Sequence, residues 1–185
     1  MPVLAEIVAE DGAGWLRLDG RLSAGETGRL VELWLGEAAA PRESVERILQ
    51  DSERSVFGGV RLTDPATGAQ VLPGCCLLLE DWRTWVDAKP DLGHDGPWPE
   101  VDDAGLTIWP RGDEDWRAEA VREGQPVRVL RSEMPRICRM VQADLEGLLE
   151  ALARWAGNHC PELTDALVAH ADRTFAVTAS LDGLE

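Results

Sequence analysis

The strongest constraint on this fold is a long amphipathic stretch near the C-terminal end of the chain. Between residues 132 and 158, apolar side chains recur every three to four positions, which is the spacing of one face of an α-helix. Ser132 is a preferred N-cap residue, Pro135 falls in the tolerated first turn, and Gly157 favours a stop. The pattern predicts a helix whose buried face carries Ile137, Val141, Leu145, Leu148, Leu152 and Trp155.

The first third of the chain has shorter patterns that are more typical of a sheet. Alternating apolar residues over 3–9 and 15–18, joined by a glycine-rich turn, predict a β-hairpin. Residues 30–35 are also predicted as a strand between glycines, although Ser23 and Glu26 fit the capping box of a helix.

The remaining elements follow from local composition. Pro161 begins a second C-terminal helix that is predicted to run to about residue 172. The segment 89–103 is rich in Pro, Gly and Asp, so it is predicted as a loop. The other predictions are helices over 41–50 and 80–88, strands over 106–109, 127–130 and 175–178, and a strand over 55–62 broken by Gly58 and Gly59.

Together these elements predict an α+β fold. We expect an antiparallel sheet formed early in the chain, packed by the C-terminal pair of helices. The chain has 185 residues and no internal repeat or low-complexity linker, so we expect residues 1–185 to form a single domain.

The location of the protein is predicted from what the chain does not contain. No apolar run approaches the ~20 residues of a membrane span, and the first residues lack the pattern of a signal peptide. The four cysteines show no CxxC spacing, which favours reduced thiols. We therefore expect a cytoplasmic protein without membrane association.

Charge gives the main functional indication. The net charge is −16, which argues against nucleic acid as a partner, because nucleic-acid binding needs a surplus of basic residues. Residues 80–120 carry twelve carboxylates and four basic side chains, a local charge of −8, whereas residues 121–139 carry a local charge of +3. We expect the basic segment to pair with the acidic one inside the protein, although it could instead bind an anionic ligand. The acidic segment is either a solvated surface or a binding face for a basic protein partner, which its charge would attract over long distances.

A partner-binding face is predicted within the acidic segment. Aromatic side chains often anchor interfaces, and Trp82, Trp85 and Trp98 are the candidate anchors in this segment. Trp82 and Trp85 have helical spacing and are more easily explained by packing in the core, whereas Trp98 lies in the predicted loop. The candidate binding residues are Asp95, Trp98, Asp102, Asp103, Asp113, Glu114 and Asp115.

An enzyme is the alternative function. His94 lies beside Asp95 in a Gly-rich and Pro-rich loop, where an Asp–His pair can orient a general base, and Cys75 or Cys76 would supply a thiol nucleophile. Such a site would serve a hydrolase or a transferase. The chain contains no GxSxG, P-loop or GxGxxG motif and no calcium-loop pattern, so we expect no catalytic residues, no cofactor and no metal.

One stretch of the chain resembles a known group of proteins. It comprises Leu72-Pro73-Gly74-Cys75-Cys76, the run Leu79-Glu80-Asp81-Trp82-Arg83-Thr84-Trp85, and Gly93-His94-Asp95. This pattern resembles a group of uncharacterised bacterial proteins, which is similar to the small acidic cytosolic proteins encoded beside secreted toxins as immunity partners. The resemblance implies a non-enzymatic protein that binds and neutralises a basic toxin, and it implies no catalytic residue.

Overall fold

The structure is a computed structural model that describes residues 2–12, 14–51, 53–74, 76–86, 90, 92, 97–110 and 124–181. Its strands are β1 (Leu4–Glu10), β2 (Trp15–Arg17), β3 (Gly58–Thr63), β4 (Gln70–Val71), β5 (Trp98–Asp102), β6 (Gly105–Trp109) and β7 (Val127–Leu130). Its α-helices are α1 (Ala24–Leu35), α2 (Pro41–Gln50), α3 (Met134–His159) and α4 (Thr164–Thr174). Short 3-10 helices cover Leu79–Trp85, Arg131–Glu133 and Pro161–Leu163.

The first sheet is antiparallel and has the strand order β2-β1-β3-β4. The predicted β1/β2 hairpin is confirmed. One face of β1 carries Ala5, Ile7 and Ala9, which are buried in the core. The two glycines that were predicted to break the third strand instead lie inside β3, where a Cβ on Gly58 would be 2.2 Å from the carbonyl oxygen of Val8. They allow a close approach of neighbouring backbone rather than a break.

The second sheet is an antiparallel meander in the order β5-β6-β7. The strands predicted at 106–109 and 127–130 are confirmed as β6 and β7. The loop predicted over 89–103 was wrong at its C-terminal end, because β5 occupies Trp98–Asp102. Pro99 and the acidic residues of β5 are of types that are common in loops. Among the described strands, β5 pairs with β6 alone and is therefore an edge strand, and edge strands tolerate such residues.

The prediction of a strand at 30–35 was wrong, because these residues end helix α1. The Ser23 hydroxyl accepts a hydrogen bond from the Glu26 N–H at 3.3 Å, and the Glu26 carboxylate accepts one from the Ser23 N–H at 2.8 Å. This capping box satisfies two N–H groups at the start of the helix. Gly36, in the left-handed conformation with φ of 82°, ends it. The helix predicted at 41–50 is confirmed as α2.

The long amphipathic helix is confirmed as α3, and all six of its predicted core positions are buried. Its ends differ from the prediction. Ser132 lies in the preceding 3-10 helix and does not cap α3, and α3 continues through Gly157 to His159. The second C-terminal helix is confirmed as α4, which follows a 3-10 turn beginning at Pro161.

The strand predicted over 175–178 was wrong, because these residues form turns that fold back on α4. Asp172 near the end of α4 accepts hydrogen bonds from the N–H and the hydroxyl of Thr178, each at 2.8 Å. Ala176 adopts a positive φ of 50°, which reverses the chain. Phe175 and Val177 are nevertheless fully buried, so the apolar pattern at this point marks core packing rather than a strand.

The core joins both sheets with the helices, which confirms the α+β fold with C-terminal helices. One hydrophobic cluster contains residues of β1, β3, β6, β7 and all four α-helices. The helix predicted over 80–88 is a 3-10 helix at Leu79–Trp85, and it inserts Trp82 and Trp85 into this cluster. None of the helices in the described parts of the chain has the length and apolar character needed to cross a membrane.

Candidate functional site

The predicted partner-binding residues are distributed unevenly between described and undescribed parts of the chain. Asp102 and Asp103 lie at the turn between β5 and β6. The backbone of Trp98 pairs with that of Trp109 at the opposite end of the same hairpin. The other candidates lie outside the described residues: Asp95, Asp113, Glu114 and Asp115.

The carboxylate of Asp102 is used within the protein. It accepts hydrogen bonds from the N–H groups of Ala104 at 2.8 Å and Gly105 at 2.9 Å, which close the turn. Both of its oxygens also lie 2.7 Å from the Arg128 guanidinium on β7. These contacts hold the pKa of the Asp102 carboxyl group below its usual value, and the hydrogen bonds from Arg128 have the largest effect. The predicted pairing between the basic and acidic segments is therefore confirmed at this pair.

The other described arginines of the basic segment do not pair with the acidic one. The Arg136 guanidinium donates to the carbonyl of Val3 and lies 3.8 Å from Glu133 in its own segment. Arg131 and Arg139 are exposed and form no ion pair with any residue in the described ranges. Among the described residues, the pairing between the two segments thus fixes one turn.

Asp103 differs from its neighbour because its carboxylate is exposed and contacts no described partner. Two residues before it, Val101 is 66% exposed, and it lies on the sheet face that carries Leu106 and Val129. A shallow groove runs next to Val101, lined by Val101, Gly105, Leu106, Val129, Arg131 and Met134. We call Val101, Asp103 and this groove the hairpin-tip surface.

The edges of the second sheet are poorly suited to accept an additional strand. Pro99 lies on the edge strand β5 and has no N–H to donate. On β7, the N–H of Leu130 already donates to the Glu133 carboxylate at 3.1 Å. A partner at the hairpin-tip surface would therefore contact side chains rather than extend the sheet.

The tryptophans of the 3-10 helix are core residues and cannot anchor a partner. Trp82 is 1% exposed and Trp85 is 3% exposed. The Trp82 indole N–H donates to the carbonyl of Phe175 at 2.8 Å, which satisfies its one polar group inside the protein. The interpretation of these two residues as core packing is confirmed.

The residues of the enzyme hypothesis are almost all outside the described ranges. His94, Asp95 and Cys75 are in this group, and Cys76 is exposed with a positive φ of 66°. Burial raises the pKa of the Cys138 thiol to about 11, so this cysteine is protonated at neutral pH. Within the described residues, no group of three or more His, Cys, Asp or Glu side chains has the geometry to hold a metal ion.

A second exposed group lies on the outer face of the first sheet, and the sequence did not indicate it. Glu10 pairs with Trp15 across the β1/β2 hairpin. On its other side, the Glu10 N–H donates to the carbonyl of Phe57 at 2.9 Å. We call Trp15, Glu10 and Phe57 the aromatic–acid row. The predicted β1/β2 hairpin brings Glu10 and Trp15 together. Phe57 lies beside Glu10 because the residue just before β3 continues the pairing of β3 with β1.

Charge pairing on this face sets Glu10 apart from the other carboxylate of β1. Glu6 lies 2.7 Å from the Arg17 guanidinium and 2.6 Å from that of Arg61. Glu10 is exposed and forms no ion pair with any residue that the structure describes. Comparison of the chain with protein-family models, with curated proteins and with solved structures found no match. The functional argument therefore depends on the geometry of these two surfaces.

Proposed function

We propose that this protein is a non-enzymatic cytoplasmic interaction protein of the immunity type, which binds and neutralises a basic protein partner through an acidic surface. The supporting observation is the hairpin-tip surface, where the exposed Val101 stands beside Asp103, which is exposed and has no ion-pair partner among the described residues. A contiguous exposed apolar area with a charged rim is typical of a surface that a partner covers, and here Val101 and the apolar wall of the groove form that area. The groove wall also carries Arg131, so the preference for a basic partner comes from the net negative charge of the whole protein.

The geometry of the turn favours binding because the surface is already ordered. The contacts of Asp102 with Arg128 and with two backbone N–H groups fix the turn that carries Asp103. A preorganised surface loses little conformational entropy when a partner binds. The adjacent groove, whose wall includes Leu106 and Met134, has room for about one water molecule, so a partner would cover it rather than fill it with a side chain.

Two sequence observations support the immunity part of the proposal. The net charge of −16 would attract a basic toxin over long distances and raise its association rate. The stretch around Cys75, Trp82 and His94 resembles a group similar to immunity proteins.

The test uses the product of the neighbouring reading frame, because immunity proteins are encoded beside their toxins. Binding is measured by calorimetry at low and at physiological salt. Asp103→Lys should weaken the complex by about tenfold or more. Val101→Asp should also weaken it, although it adds negative charge, because it removes the apolar contact. Wild-type affinity should fall as salt rises.

The matched control is Glu146→Lys, which makes the same charge reversal on α3. Glu146 is exposed and forms no ion pair within the described residues. We expect this variant to bind within about twofold of wild type. The proposal is wrong if the neighbouring product does not bind, or if Asp103→Lys and Val101→Asp bind as tightly as Glu146→Lys.

A further inference from the structure

The aromatic–acid row places the Glu10 carboxylate, which has no ion-pair partner among the described residues, between two aromatic residues. Trp15, Glu10 and Phe57 occupy directly opposite positions on three adjacent chain segments. Side chains at such positions share one face of the sheet, and neighbouring Cβ atoms lie about 4.5–5.5 Å apart. Trp15 and Phe57 therefore lie on either side of Glu10 on this face of the sheet.

All three side chains of the row are accessible to a ligand. Phe57 is 57% exposed, the largest exposed fraction of any aromatic side chain among the fully described residues. Glu10 is exposed, and Trp15 is partly exposed. Phe57 is the more unusual because phenylalanine is normally covered in a folded protein.

The surrounding cations are already bound to other carboxylates. Arg17 and Arg61 on the same sheet face both contact Glu6. Arg29 lies 2.8 Å from Asp11, the residue after Glu10. None of the described cations therefore neutralises Glu10, and its negative charge can attract the cation of a partner.

We propose that the aromatic–acid row is a receptor for one basic side chain of a protein partner. The cationic group would pair with the Glu10 carboxylate while its flat or aliphatic part packs against Trp15 and Phe57. Aromatic faces attract cations, and the attraction adds to the ion pair. An acidic ligand is repelled by Glu10, and a purely apolar ligand would leave that carboxylate desolvated and unpaired.

Arginine fits this receptor better than lysine. Its guanidinium is planar, so it can stack on an aromatic ring while it donates two hydrogen bonds to the carboxylate. The basic character of the natural partner rests on the proposed function, but the receptor itself can be tested without that partner.

The experiment is an NMR titration of the ¹⁵N-labelled full chain with the peptide acetyl-Gly-Arg-Gly-amide. We expect saturable shifts of the Trp15 indole N–H and of the backbone amides of Glu10 and Phe57. The same peptide with citrulline in place of arginine has nearly the same shape and no charge. Its binding should be weaker by about fivefold or more, because the ion pair is lost.

Two matched variants locate the site. Glu10→Gln keeps the shape of the side chain and the paired backbone, and it should weaken binding of the arginine peptide by about fivefold or more. Glu146→Gln makes the same change at an exposed, unpaired position on α3 and should leave binding unchanged. The receptor is refuted if Glu10→Gln and Glu146→Gln titrate alike, if the citrulline peptide binds as well, or if the shifts centre on Asp103.

Failure of this titration and failure of the proposed function give different results. The titration contains no partner protein, so an absent complex with the neighbouring gene product leaves its outcome intact. Conversely, if Glu10→Gln binds the arginine peptide as wild type does, the receptor proposal is refuted. The binding measurements on the Val101 and Asp103 variants still test the proposed function in that case.

Discussion

Gly147 of α3 packs directly against the backbone of Gly20, just after β2. A Cβ on Gly147 would lie 2.5 Å from the Gly20 nitrogen, closer than van der Waals contact allows. Seven residues further along α3, the Arg154 guanidinium donates to the carbonyl of Gly20 at 2.6 Å. This contact holds the long helix to the end of the first hairpin.

We predict that Gly147→Ala lowers the free energy of unfolding by about 1–3 kcal/mol, because the added methyl group pushes two backbone segments apart. Urea denaturation measures this change. The control is Gly157→Ala in the same helix, where the new Cβ would meet nothing within 4 Å. That variant should be stabilised by up to about 1 kcal/mol, because alanine favours helix more than glycine. Equal effects of the two variants would contradict the close contact.

The sequence predicted α3 and its core face, but it did not predict this contact. The spacing of Leu145, Leu148 and Leu152 identifies a helix and the side it buries, since both depend only on local periodicity. The role of Gly147 depends on which segment lies across that helix. Such a pairing is set by the packing of the whole chain, and a glycine in a helix has no local pattern that reveals it.

We predict that Ser23→Ala lowers the free energy of unfolding by about 1 kcal/mol, since the hydroxyl caps the first turn of α1. Thermal or urea denaturation gives the value. Ser132→Ala is the control, because Ser132 was predicted to cap a helix and does not. If Ser132→Ala is the more damaging change, the assignment of the two caps is wrong.

In helix α1, two kinds of local sequence pattern contradicted each other. The capping residues Ser23 and Glu26 indicated a helix, while Gly25 and Gly28 argued against one. Gly28 has a packing role, because a Cβ there would be 3.4 Å from the Trp155 indole nitrogen on α3. Tertiary packing thus outweighed the low helix propensity of glycine.

Less of the candidate surfaces could be predicted. Asp102 and Asp103 are adjacent acidic residues, and nothing in the sequence tells which of them Arg128 neutralises. Phe57 is separated by more than forty residues from Glu10, so its place in the aromatic–acid row follows from sheet register alone. The sequence identified the acidic segment as a region of high negative charge. It could not tell which carboxylates of that segment form ion pairs.

We predict that acid destabilises the protein through His170. This imidazole is buried, stacks on Trp34 at 5.5 Å between ring centroids, and its Nε2 atom has no hydrogen-bond partner among the described residues. Burial, assisted by the charge of Arg173, holds the pKa of His170 below its usual value. The unfolded chain therefore binds a proton more readily than the folded one, and stability falls as the pH drops below about 6.5.

His170→Phe, which keeps an aromatic ring beside Trp34, should flatten this pH dependence. The free energy of unfolding is measured in urea at about pH 7.5 and 5.5, and the loss attributable to His170 is at most about 1.4 kcal/mol per pH unit. His159→Phe is the control, because it makes the same substitution at an exposed position near the end of α3. Identical pH profiles for wild type and His170→Phe would contradict the prediction.

Variants of Asp102 and Asp103 should distinguish a carboxylate that stabilises the turn from one that binds a partner. Asp102→Ala removes the acceptor of two backbone N–H groups and the partner of Arg128, so the amides of Ala104 and Gly105 should exchange with solvent faster. Asp103→Ala should leave both amides as protected as in wild type, because its carboxylate contacts no described residue. Hydrogen exchange followed by NMR reports each amide directly. If Asp103→Ala also opens the turn, loss of binding in Asp103 variants reflects disorder of the hairpin tip rather than a lost contact.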